Sequence, residues 1–468
     1  MGKLRMTIDG RLVPGESSFG VINPATGEVF DEAPECTRDQ LEEAFAAAAR
    51  AFPAWRTDVD ARRAALRRCS EVIKAHSDEL AQLVTREQGK PLSAAAHELE
   101  YCPLWLEHTA TLDLPVDVVK DTADNYVEVW RRPLGVVAAI TPWNYPVVIA
   151  IAKIAPALMA GNTLVLKPSP FTPLATLRLG ELLMEALPPG VVNIVSGGDQ
   201  LGAWMTSHPT PRKVSFTGSV ATGKKIMEVA AKDLKRLTLE LGGNDPALVL
   251  PDVDPKAVAN DLFWGAFENS GQVCAAIKRV YVHESQHSAF VSELSQLAST
   301  VKMGEGFGEG VELGPLNNKP QLERVDELVE DAKSSGAHIA TGGKIRSGSG
   351  YFYEPTIVDE IADDTRLVTE EQFGPALPIM TYTDLDDAIE RANAGHFGLC
   401  GSVWSNDTDR AAEVGGRLEC GTAWINQHLA IVPFAPFGGH KWSGVGVEHS
   451  TYGLAAYTEI QTVNVKKG

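Results

Sequence analysis

Cys274 ends the stretch Asn269-Ser270-Gly271-Gln272-Val273-Cys274, and Glu240 opens Glu240-Leu241-Gly242-Gly243-Asn244-Asp245-Pro246 upstream of it. A lone cysteine in a polar, glycine-containing turn is a candidate nucleophile, and a separate carboxylate is a candidate base for it. A thiolate that adds to a carbonyl leaves an oxyanion, which needs preplaced donors; the backbone amide of Cys274 is one. Each residue also has an ordinary reading. Free cysteines are usually inert core residues, and Cys36, Cys69, Cys102, Cys400 and Cys420 keep that assignment. A glutamate before a glycine pair can be a surface cap.

The surrounding pattern is that of an α/β protein. Residues 39–52 and 60–88 are helical in spacing, with Leu66, Cys69, Ile73, Leu80 and Val84 on one stripe. From about Gly135, short apolar runs end in Gly, Pro or Ser and alternate with helical stretches. Residues 136–140, 163–166, 191–195, 213–216 and 237–241 predict five buried parallel strands. A second alternating set predicts strands at 247–249, 279–282, 352–358, 378–382 and 402–405, with helices at 286–301, 322–335 and 384–394. Residues 125–132 and 458–467 alternate Val, Tyr and Ile with polar residues and predict an exposed two-strand ribbon.

Together these motifs resemble the aldehyde dehydrogenase superfamily, from Ile22-Asn23-Pro24-Ala25-Thr26-Gly27 to Tyr457-Thr458-Glu459. The resemblance implies a Rossmann-like parallel-sheet cofactor domain at 1–113 and 133–242 and a second α/β catalytic domain at 243–441. It also implies a small β oligomerisation arm at 114–132 and 455–468. In that scheme Cys274 attacks the aldehyde, and the side-chain amide of Asn144 is the second oxyanion donor. Glu240 activates the water that hydrolyses the thioester. An asparagine after a strand is otherwise a turn residue, but flanking prolines make this loop rigid, and losing such a donor costs about 3 kcal/mol of barrier. The carboxylate of Glu240 sets this chain apart from acyl-transferring relatives, whose thioester must survive, and implies a free carboxylic acid as product.

For the cofactor, NAD or NADP, Phe216-Thr217-Gly218-Ser219 leads from a strand through a turn into a helix with Gly223 in its first turn. Amides there can hold a pyrophosphate, although a plain strand-to-helix turn has the same look. The resemblance adds Thr141, Pro142, Trp143 and Leu241. It assigns Glu371 to the nicotinamide ribose, Phe373 to packing against it, and Lys167 to the adenosine ribose. Where many NAD-preferring members carry a glutamate, this chain has Pro170, preceded by Ser169. The missing carboxylate removes a repulsion against a 2′-phosphate, so NADP is expected to be tolerated. The substrate pocket is expected to use Tyr145, Ile149 and Ala152 on one helix face, Val273 and Ala275 beside the nucleophile, and His428 in a covering loop at 427–434. Core packing explains Ile149 and Ala152 nearly as well. With no arginine to clamp a second carboxylate, an uncharged aliphatic or aromatic aldehyde is expected, a semialdehyde acid being the alternative. Asn244, Val445, Val447 and His449 depart from commoner family residues, and Pro436 to Gly444 is expected to brace the site.

Composition narrows the partners. The 468 residues carry a net charge of -19, which disfavours nucleic acid and anionic membranes. Six cysteines without a paired-cysteine spacing disfavour a disulfide scaffold or a metal site, and a cytoplasmic location is the default. The N-terminal residues show no signal-peptide core. A small-molecule aldehyde and self-association to a dimer or tetramer are the expected partners. A cysteine hydrolase and an inactive binding scaffold are the competing classes. The first leaves the nucleotide-like elements unexplained; the second leaves the combination of Asn144, Glu240 and Cys274 unexplained.

Overall fold

The computed structural model describes residues 3–467; Met1, Gly2 and Gly468, at the outer ends of the predicted cofactor domain and arm, lie outside the described residues. The five central apolar runs become Val136–Ile140, Thr163–Lys167, Val192–Ile194, Lys213–Thr217 and Arg236–Glu240. They are parallel to one another, and helices bury both faces against one large core. Their spatial order places Val136–Ile140 in the middle. Thr163–Lys167 and Val192–Ile194 lie on one side of it, Lys213–Thr217 and Arg236–Glu240 on the other. The chain therefore reverses its winding between Val136–Ile140 and Lys213–Thr217. A crevice opens at the carboxyl ends of strands at such a switch point.

Three short elements complete this sheet from distant sequence, the outermost being Arg11–Val13, which pairs antiparallel with Met6–Ile8. Met6–Ile8 adds antiparallel to Val192–Ile194, and Gly444–Val445 adds antiparallel to Arg236–Glu240, pairing Glu240 with Gly444. The expected bracing segment therefore sits beside Glu240, as a strand edge.

The second sheet runs, in space, His338–Thr341, Thr356–Asp359, Ala376–Tyr382, Ile277–His283, Asp245–Val249, Cys400–Trp404 and Thr422–Ile425. The strand expected at 352–358 is shorter and begins at Thr356. Pro355, which has no N–H to give a ladder, interrupts it, and Tyr353 makes only an isolated bridge to Ile345. The helical stretch expected at 60–88 is two helices, Val59–Ala75 and Ser77–Gln88, divided at His76. The ribbon has three strands, because Asp117–Asp121 joins Asn125–Pro133 and Thr458–Lys466. No helix among the described residues is long and apolar enough to cross a membrane.

Candidate active site

Parallel register brings the first residues together. Thr217 pairs with Glu240 at the carboxyl ends of neighbouring strands. Beyond Ile140 the chain enters Thr141 to Tyr145, and helix Pro146–Met159 follows with proline in its first turn, where its missing N–H costs nothing. Cys274 arrives from the other sheet. Its approach is a tight turn with Asn269, Ser270 and Gly271 at φ 50°, 57° and 74°. A side chain at Gly271 would also press within 2.3 Å of the Gly374 carbonyl. The turn is tied down by Asn269 Nδ2 donating to Asn144 O at 3.2 Å and by Asn144 Nδ2 donating to Gln272 O at 3.0 Å.

Two cavities meet at this point. One, of about 280 Å³, is lined by Tyr145, Val148, Ile149, Ala152 and Val273 and by the face of helix Leu92–Thr111 that carries Tyr101 and Trp105. The other, of about 220 Å³, is lined by Pro142, Trp143, Gly218, Ser219, Leu241, Glu371 and Phe373. Among the described residues only Asn144, Thr217, Glu240 and Cys274 line both. The three residues expected to do chemistry thus stand on the partition between the two spaces.

The second cavity has the features of a dinucleotide cradle. Ser219 caps helix Val220–Ala230, so its first-turn amides point toward the strand ends. Thr217 Oγ1, on its wall, is buried without a hydrogen-bond partner. Glu371 Oε1 accepts from the Gly243 amide at 3.0 Å. Gly243 is a requirement of space, since a Cβ there would lie 2.4 Å from Cys274 O, while a Cβ on Gly242 would push aside the Glu371 carboxylate, 2.0 Å away. Phe373 meets Trp143 edge-on at 5.2 Å. Gln321 and Arg324, which sequence reasoning missed, also line this cavity; helical spacing alone gave no sign that they face it. Thr141, Lys167, Ser169, Pro170 and Gly223 are not among its lining residues. Lys167 ends the adjoining strand, its carbonyl accepting from Thr141 N at 3.0 Å, while its Nζ donates to Pro168 O at 3.1 Å. Ser169 Oγ accepts from Phe171 N at 3.3 Å. Gly223 lets its helix pack on Leu241, whose methyls a Cβ there would meet at 2.7 Å.

Two expected substrate contacts are displaced. Ala275 is fully buried behind the nucleophile, and His428 Nε2 donates to its carbonyl at 2.7 Å while the ring packs edge-on against Trp424. Neither lines the cavity; Leu429 and Ile431 of the same loop do. His449 lines it too, and its Nδ1 accepts from Trp105 Nε1 at 3.0 Å. The helix Leu92–Thr111 was not anticipated, and its polar and apolar residues gave no sign of which face the cavity would take.

Electrostatics at the junction favour neutral forms. Both carboxylate oxygens of Glu240 are buried without a partner. Burial first, then the charge of Glu448, pushes this carboxyl well above the usual carboxylate range, against a smaller pull from Lys153. Burial also pushes the Cys274 thiol up to about 12, with Glu240 and Glu371 adding to the rise. A raised thiol value means less thiolate at any given pH, so reactivity must climb as pH rises. In dinucleotide-free enzyme, inactivation by iodoacetamide should accelerate about tenfold per unit between about pH 7 and 9. A plateau in that range would show that the thiolate is already stabilised at neutral pH.

A two-sheet α/β fold thus presents a thiol and a carboxyl between a cradle at a helix N-terminus and a tunnel. The chain matches the aldehyde dehydrogenase family over residues 12–463. It is 38% identical to the putative aldehyde dehydrogenase FUS7 of Gibberella fujikuroi, across 97% of this chain and 96% of that protein. It is 39% identical to the succinate-semialdehyde dehydrogenase [NADP(+)] GabD of Escherichia coli, across 95% and 93%. A solved NAD+ complex of aldehyde dehydrogenase from Bacillus cereus superposes with a TM-score of 0.97 at 36% identity, covering 99% of this chain and 96% of that one. The chain belongs to the aldehyde dehydrogenase family and is an NAD(P)-dependent oxidoreductase of that class.

Proposed function

We propose that this enzyme oxidises an uncharged aliphatic or aromatic aldehyde to the free carboxylic acid, with Cys274 as nucleophile. The observation that carries this reading is the position of Cys274, Glu240 and Asn144 on the wall common to both cavities. The Cys274 sulfur bonds to the aldehyde carbon, and its proton passes to Glu240. The oxyanion is met by the Asn144 amide and the Cys274 backbone N–H. A bound nicotinamide supplies the acceptor for the hydride that leaves that carbon. Glu240 then loses that proton to solvent, and the thioester left on Cys274 is opened by water that gives its proton to the freed carboxylate, while the sulfur leaves as thiolate and the free acid departs. A buried carboxyl with a raised proton affinity is a stronger base once ionised, which suits the last step.

In this proposal the segments 1–113 and 133–242 hold the dinucleotide and 243–441 carry the nucleophile. Glu371 and Phe373 hold the nicotinamide end, and the amides after Thr217 hold the phosphates. Lys167 and Ser169 take the adenosine ribose, and without a carboxylate at Pro170 both NAD and NADP are accepted. The arm formed by 114–132 and 455–468 pairs with a second copy. Its exposed Val118, Val119, Ile460 and Val465 support that role. Location in the cytoplasm accords with six unpaired cysteines.

The direct test follows reduced nicotinamide with hexanal, benzaldehyde and succinate semialdehyde, each with NAD and with NADP. Turnover is expected with both dinucleotides, faster for the two uncharged aldehydes. If succinate semialdehyde outperformed them, the uncharged preference would be wrong. If no aldehyde reduced either dinucleotide, the whole assignment would fall.

A further inference from the structure

One charged group in the tunnel has no part in the chemistry above. Glu268 is half-buried and lines the cavity that Cys274 opens into. The one hydrogen bond of its carboxylate among the described residues is with Tyr145, whose hydroxyl donates to Oε1 at 2.7 Å. The ammonium groups of Lys90, on the same cavity, and of Lys153 are already matched. Lys90 Nζ lies 2.7 Å from Glu98 Oε2, both side chains being buried, and 3.6 Å from the centre of the Tyr145 ring. The other oxygen of Glu98 accepts from Val147 N at 2.9 Å and Val148 N at 3.2 Å. Lys153 is held by Glu448 at 2.7 Å. His449 cannot supply a positive charge, because burial pulls it down to about 4.

Glu268 makes no ion pair of its own among the described residues, Lys90 being bonded to Glu98 instead, and it shares the cavity with Lys90, Glu98 and Glu448 and with apolar Trp105, Val148 and Ile149. Glu240, 4% exposed and with both oxygens unpartnered, faces the same space. The free acceptor capacity of the tunnel points into the cavity, where a substrate would lie.

We infer that Glu268 sets the substrate class: it repels aldehydes bearing a carboxylate at their far end and seats a hydrogen-bond donor, hydroxyl or ammonium, in its place. This rests on aldehyde oxidation at Cys274 and goes beyond it by naming the group that discriminates. A like charge in a partly desolvated tunnel is worth about tenfold or more in specificity.

The test uses benzaldehydes with methyl, hydroxymethyl, aminomethyl or carboxylate in the para position. For the unaltered enzyme, kcat/KM for the carboxylate should lie at least about tenfold below that for methyl. The hydroxymethyl and aminomethyl compounds should equal or exceed methyl, and the two of them separate a neutral donor from a cation. Glu268→Gln keeps an acceptor for the Tyr145 hydroxyl and removes the charge. It should raise the carboxylate-to-methyl ratio at least about tenfold. The ratio cancels any general loss from altered packing. Equal oxidation of the carboxylate and methyl compounds by the unaltered enzyme would overturn the inference, as would an unmoved ratio in the variant. If Glu268→Gln did not fold, Glu268→Ala would supply the same ratio, and an unmoved ratio there would equally overturn the inference. If the para-substituted aldehydes were not oxidised although hexanal was, inhibition by the matching benzamides would read the same ratio. Failure with hexanal as well would instead count against aldehyde oxidation itself.

Discussion

Cys274→Ser should lower kcat by on the order of 10³-fold or more, because a serine hydroxyl in this pocket has no base strong enough to ionise it. The change is nearly isosteric, and the turn is held by backbone and amide contacts from Asn144 and Asn269 rather than by the sulfur. Folding and dinucleotide binding should therefore persist, as read by thermal unfolding and by quenching of Trp143 fluorescence, since Trp143 lines the cradle. Alkylation of the unaltered enzyme should remove the same activity, while Cys36, Cys69, Cys102 and Cys400 are buried and should react far more slowly. A serine variant that oxidised hexanal at the native rate would refute the nucleophile.

Glu240→Gln separates the two halves of the reaction. The amide fills the same space but cannot take a proton from water. Steady-state turnover should fall by about 10² to 10⁴-fold. The first half should survive as a burst of reduced nicotinamide close to one per site, followed by a slow phase as thioester persists. The burst should itself be slower if Glu240 also relieves Cys274 of its proton, which the raised thiol value favours. Added hydroxylamine should speed the slow phase, since it attacks a thioester without needing a base. A variant with no burst and no rescue would place Glu240 in the first half alone. A variant with unchanged turnover would remove it from the mechanism.

The two changes differ in a way that the fold explains. Glu240 ends a strand in the first sheet, in register with Thr217, and Cys274 precedes a strand of the second. Chemistry on the partition therefore depends on how the two sheets meet. Gly243 after Glu240 lets the two sheets approach, because a Cβ there would meet the Cys274 carbonyl.

Much of this was legible in the residues. The five central strands match short apolar runs bounded by Gly, Pro or Ser, because strands buried on both faces must be apolar throughout. The expected strand at 352–358 was misplaced because proline blocks a ladder without altering apolar character. Asn144, Glu240 and Cys274 stood out because each sits in a motif with a chemical rationale. Tyr145, Ile149, Ala152 and Val273 line the tunnel as helical and neighbour spacing implied. Ala275 and His428 do not, since a flanking position says nothing about which way a turn directs its neighbours.

Local sequence determined the α/β alternation, the thiol-bearing turn, the glycine pair and the family, since these depend on backbone conformation and residue chemistry within a few positions. Tertiary structure decided the charge of the tunnel. Glu268, Lys90, Glu98 and Tyr145 come from separate elements, and which ammonium is paired and which carboxylate is left free depends on distances set only when helix Leu92–Thr111 packs over the catalytic turn. Electrostatic pairing falls off over a few Å, so no spacing along the chain can encode it.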